Sequence, residues 1–111
     1  MIVLCGLLEQ DGKILFLEKN SMLEVPHTLG SIQTDPMSQL AEAFKKQTDI
    51  RVNVEGVFLQ TKHIISGEET QFIVFKMVSL EEYQHQKYLW LNFNEAKQRK
   101  LGRSTQWLKD V

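Results

Sequence analysis

The chain has 111 residues, with 13 Lys or Arg against 14 Asp or Glu and a formal net charge of −1. That length fits one domain, residues 1–111, large enough to build a single core without disulfide or metal staples. A composition of 42% hydrophobic and 24% charged residues excludes wholesale disorder, the near-neutral total argues against nucleic-acid binding through bulk charge, and no apolar run approaches the roughly 18 residues of a membrane span.

The first segment, Ile2 to Glu9, is apolar and β-prone and has no basic n-region, so it does not read as a signal peptide. It holds Cys5, the only cysteine, which rules out an internal disulfide or a cysteine-based zinc site and fits a cytoplasmic protein. In an apolar strand Cys5 reads as a buried small hydrophobe. Asp11-Gly12 predicts a tight hairpin turn, because both central residues of a type I′ turn need positive φ. Lys13 to Glu18 then forms a second strand. Residues 20–34 read as loop, with one short β piece at Leu23 to Val25 before Pro26.

The clearest element is a helix opening at Asp35-Pro36, an N-cap followed by a proline whose missing N–H costs nothing at that position. Met37, Leu40, Ala41 and Phe44 fall at i, i+3, i+4 and i+7 and form the stripe that faces a core. Thr48-Asp49 ends it, with Asp49 suited to a left-handed backbone. Val52 and Val54 alternate with polar neighbours as a strand, and Gly56 predicts a bulge before Val57 to Leu59. A hairpin follows, from Lys62 to Ile65 through the turn Ser66 to Glu69 into Gln71 to Leu80. Lys87 to Phe93 is a last strand, and Asn94 to Lys109 reads as one or two short helices broken near Gly102. The order predicts an α+β fold, a mixed β-sheet sandwiched between helices.

This order resembles a Nudix (MutT-like) domain. The resemblance rests on the strand Ile14 to Lys19, Leu23-Glu24-Val25-Pro26, an eight-residue loop, Asp35-Pro36, the helix and Ile50. It extends to Trp90-Leu91 followed by Glu95. The family signature is Gly-x5-Glu-x7-Arg-Glu-U-x-Glu-Glu-x-Gly-U, with U apolar. Its positions hold Thr28, Thr34, Glu42, Ala43, Phe44, Lys46, Gln47, Asp49 and Ile50, so only the two apolar places survive. The resemblance therefore implies a Nudix-like fold with a degenerate box. Pyrophosphate hydrolysis needs divalent metal to screen phosphate and activate water, and magnesium is held through carboxylates. At 100° per residue, positions 43, 46 and 47 point about 120° from the apolar stripe, toward the cleft where such carboxylates belong. They offer a methyl group, an ammonium and an amide. Ten glutamates are present and none stands there.

Three readings of function remain open. In the first, the chain is not an enzyme but a non-hydrolytic module that binds a nucleotide-like or other anionic ligand, or a protein partner. In the second, it is a divergent hydrolase of a nucleoside-diphosphate-linked substrate, with Mg2+ held by Glu42, Glu55, Glu68 or Glu69. In the third, it is a small interaction protein, dimeric or not, without a small ligand. Under the first, His27, Lys46 and Lys19 border a pocket whose two cations and imidazole suit an anion; the plainer alternative is a solvated loop histidine and two unrelated lysines. Glu42, Glu68 and Glu69 read equally as a solvated helix residue and a polar hairpin tip. His63 reads as a packed or surface histidine. From Lys87 onward the chain carries a net charge of +4, leaving −5 on residues 1–86. Lys97, Arg99, Lys100 and Arg103, at helical spacing, offer a face for nucleic acid or an acidic partner, or simply the solvated side of a helix with Trp90 and Trp107 buried beneath it.

Overall fold

The structure, a computed structural model, describes residues 1–31, 33–82 and 87–111. Strand β1 (Ile2–Gln10) runs into β2 (Lys13–Lys19) through Asp11 and Gly12, whose φ values of 53° and 78° are those of the expected turn. Contrary to the expectation of a loop, Asn20 and Ser21 make a second such turn, with φ of 52° and 63°, into β3 (Met22–Glu24). A further short strand, β4 (His27–Leu29), follows Pro26.

Helix α1 (Pro36–Thr48) begins where Asp35-Pro36 places it. Asp35 accepts hydrogen bonds from the Ser38 hydroxyl (2.8 Å) and backbone N–H (3.2 Å), which hold its carboxyl below the usual range. Asp49 takes φ 61° at the other end and donates its N–H to the Lys45 carbonyl. The buried stripe, however, is Leu40, Phe44 and Thr48, while Met37 is exposed. Thr48 enters the core because its hydroxyl donates to the Phe44 carbonyl (2.8 Å), so the polar group is satisfied within the helix.

The segment after α1 is one 14-residue strand, β5 (Val52–Ile65), rather than two pieces. It carries bulges between Val54 and Gly56 and between Val57 and Leu59. Ser66 and Gly67 alone make the turn into β6 (Glu68–Ser79), so the glutamates expected in that turn belong to the strand. Strand β7 (Leu89–Leu91), helix α2 (Phe93–Lys97) and a 3₁₀ helix (Arg103–Asp110) complete the chain.

The main sheet runs β4-β1-β6-β5, parallel only between β1 and β6. On the edge of β1 away from β6, Glu9 and Gln10 pair with β2, which then splays off to pair with β7 and β3. β4 takes the place it leaves, opposite Val3 to Cys5. Because side chains alternate along a strand, β1 serves two cores. Val3, Cys5 and Leu7 pack with Phe16, Phe72 and Val74 beneath Ala96, Trp107 and Leu108. Leu4 and Leu8 pack with Leu15, Phe75 and Met77 beneath Leu40 and Phe44. The mixed sheet thus lies between α1 on one face and α2 with the 3₁₀ helix on the other, as expected.

Candidate functional site

The exposed side of α1 faces β4 at its last turn. Gln47 reaches across to His27 and makes two bonds with its backbone: Oε1 accepts the N–H (3.2 Å) and Nε2 donates to the carbonyl (2.7 Å). The His27 ring is fixed as well. Its Nδ1 lies 2.7 Å from the Val25 carbonyl, an acceptor only, so Nδ1 carries a proton. Two turns earlier, Gln39 Nε2 donates to the Leu29 carbonyl (2.6 Å). The helix is therefore sewn to β4 by side-chain amides at both ends of the strand. Nothing in the sequence pattern marked Gln47 or Gln39 for this, since their partners lie 20 and 10 residues away.

Of the three residues expected to border an anion pocket, His27 and Lys46 are neighbours through Gln47. Lys46 is exposed and pairs with Glu42 one turn back (3.5 Å). Lys19 ends β2 opposite Met22 and is exposed; among the described residues no hydrogen bond or ion pair joins it to His27 or Lys46. The surface depression on this side of α1 is lined by Glu42, Lys45, Lys46 and Asp49.

The four carboxylates considered for an altered metal site lie apart. Glu42 pairs with Lys46, Glu69 with Lys62 (3.5 Å), Glu68 with the N-terminal ammonium (3.9 Å), and Glu55 stands at the first bulge of β5. Among the described residues no three His, Cys, Asp or Glu side chains group closely enough to hold a metal ion.

A different glutamate is fully engaged. Glu24 accepts the backbone N–H groups of Arg103 (3.0 Å) and Ser104 (3.1 Å) and the Ser104 hydroxyl, so it caps the 3₁₀ helix. Gly102 is required there, because a Cβ would overlap the Glu24 carboxylate. Cys5, fully buried beneath that helix, has its thiol pushed up by burial and by the Glu24 charge, and it behaves as the small hydrophobe expected. Trp107 is buried and Trp90 half-buried. The four basic residues do not share a helix face: α2 stops at Lys97, and Arg103 starts a separate helix after a turn. Arg99 pairs with Glu18 (3.5 Å). No described helix is long and apolar enough to cross a membrane.

No family model and no curated protein matches the sequence. Solved structures do match the fold. The solution structure of the E. coli ORF135 protein superposes with a TM-score of 0.78 at 18% identity, covering 98% of this chain and 85% of that one. A Nudix hydrolase from Nitrosomonas europaea gives 0.75 at 13% identity, over 98% and 86% of the two chains. A MutT protein from Methanosarcina mazei gives 0.74 at 15% identity, over 98% and 89%. The chain has the Nudix fold. On α1, Ala43 is half-buried and Lys46 and Gln47 are exposed.

Proposed function

We propose that this chain is a Nudix-fold protein that does not hydrolyse pyrophosphates and instead binds a nucleotide-like or other anionic ligand beside the last turn of α1. The observation that carries the reading is the double bond pair between Gln47 and His27. An amide brings one donor and one acceptor, so it satisfies both His27 backbone groups directly. A glutamate at position 47 would bring acceptors only and would face the His27 carbonyl with a negative charge, an arrangement that needs a cation between the two. Gln47 removes that need. Ala43 supplies no ligand, and the Lys46 ammonium repels a divalent cation.

What is left suits an anion. His27 presents its imidazole ring at the edge of β4. Lys46 stands on the adjacent helix surface, and Lys19, at the end of β2, is the second cation of the proposed site. Phosphate groups are the natural partners of such a set. The alternative hydrolase would need Glu42, Glu55, Glu68 or Glu69 to converge, but Glu42, Glu68 and Glu69 each pair with a different cation and Glu55 stands at the first bulge of β5.

The test is a thermal-shift screen with nucleoside mono- and diphosphates, run with turnover assays on nucleoside-diphosphate derivatives in Mg2+ and Mn2+. The expected result is a raised melting temperature with one or more nucleotides, a shift at least halved by Lys46→Ala, and no turnover. Turnover that scales with metal would overturn the non-hydrolytic reading. A melting temperature unmoved by every anion would overturn the ligand assignment.

A further inference from the structure

The sheet face opposite α1 holds a cavity of about 200 Å3 at the end of β1 remote from β4. Its floor is Leu7 and Ile14, its wall Phe58 and Phe93, and its rim Glu9, Glu55 and Lys76. Phe58 and Phe93 come from different elements, β5 and α2, and stack with ring centroids 5.8 Å apart. Phe58 lines the cavity and remains 36% exposed.

The two bulges of β5 build this cavity. Val54 pairs with Met77 and Gly56 with Lys76, which leaves Glu55 without an opposite residue; Val57 pairs with Phe75 and Leu59 with Val74, which leaves Phe58 without one. In a regular strand residues three apart point to opposite faces. The bulge pattern turns both extra residues to the same face, and both line the cavity. Bulges alone would serve to protect an edge strand such as β5. Protection does not require an aromatic pair and a carboxylate delivered to one hollow.

We propose that this cavity binds a small organic cation, a single aromatic ring bearing a protonated amine. The ring lies against Phe58 and Phe93, and the ammonium is taken by Glu9 and Glu55. Charge selects the class: two carboxylates against one ammonium leave the rim at −1, and among the described residues none of the three forms an ion pair. Size selects a single ring, since the volume is below the roughly 300 Å3 of ordinary ligand pockets. The site is independent of the α1 surface and stands or falls without it.

Phenethylamine titrated into 15N-labelled full-length protein is the probe, with phenylacetate and ethylamine as controls that keep the ring or the charge alone. Saturable amide shifts at Glu55, Gly56, Lys76 and Phe93 are expected with phenethylamine, and much weaker ones with either control. Glu55→Gln and Phe58→Leu should each weaken binding roughly three- to tenfold, the effect of one charge-assisted or one aromatic contact. Glu55→Gln alters an exposed position and removes no packing, so it remains informative if Phe58→Leu perturbs the fold. Absence of saturable shifts, equal binding of phenylacetate, or wild-type affinity in Glu55→Gln would each overturn the proposal.

Discussion

Gly6 shows how closely single residues constrain this fold. It lies in β1 beneath α1, and a Cβ there would stand 2.8 Å from Phe44 Cδ2 and 2.9 Å from Met77 Cε. Both neighbours belong to a fully packed core, so neither can retreat without cost. Gly6→Ala is expected to destabilise the protein by about 1–3 kcal/mol, read as a lower midpoint in urea at unchanged slope. The glycine was visible in the sequence as part of an apolar strand, and its reason was not, because Phe44 and Met77 are 38 and 71 positions away. Gln47 is a similar case. Its side-chain chemistry was legible as an amide where the family resemblance expects a carboxylate, while its partner depended on β4, a three-residue strand with no pattern of its own.

At the scale of elements, what was legible followed from local chemistry. Asp35-Pro36 starts α1, and Asp11-Gly12 and Ser66-Gly67 turn two hairpins, because capping and positive φ are decided by adjacent residues. β3 overlaps the short β piece expected at Leu23 to Val25, whereas β4 escaped because it is three residues long and is held by β1, remote in sequence. The second short helix, expected after a break near Gly102, is a 3₁₀ helix. It is fastened from outside by Glu24 at its start and by a small cluster at its end, where Asp110 Oδ2 accepts from the Thr61 hydroxyl (2.7 Å) and meets His63 Nε2 (2.6 Å). The Thr61 bond first, and the His63 bond after it, hold the Asp110 carboxyl below its usual range. A carboxyl depressed in the folded state contributes stability above its unfolded pKa, about 3.9, and loses it as pH falls through the lower folded value. Asp110→Asn is therefore expected to lower stability near neutrality and to flatten its decline below about pH 4. Unfolding free energies measured across pH 2–7 for both proteins check this; an unchanged slope below pH 4 would mean that the cluster does not tie the helix to β5.

At the scale of the whole molecule, the fold was legible because periodicity and element order determine which faces are apolar, and the two cores of β1 follow from strand alternation. The basic end of the chain was legible only as a count, since the turn after Lys97 disperses residues that the spacing alone would align. The proposed function turns on whether the junction of α1 and β4 is closed by an amide or by a metal. The most direct measurement is titration of paramagnetic Mn2+ into 15N-labelled protein while following the His27 amide and the Gln47 side-chain NH2. In the wild type these signals are expected to survive stoichiometric Mn2+ without selective broadening. In Ala43→Glu/Lys46→Glu/Gln47→Glu, which places three carboxylates on one side of α1, the His27 signal is expected to be lost. Selective broadening of His27 and Gln47 in the wild-type protein would contradict the metal-free closure and return the chain to the hydrolases.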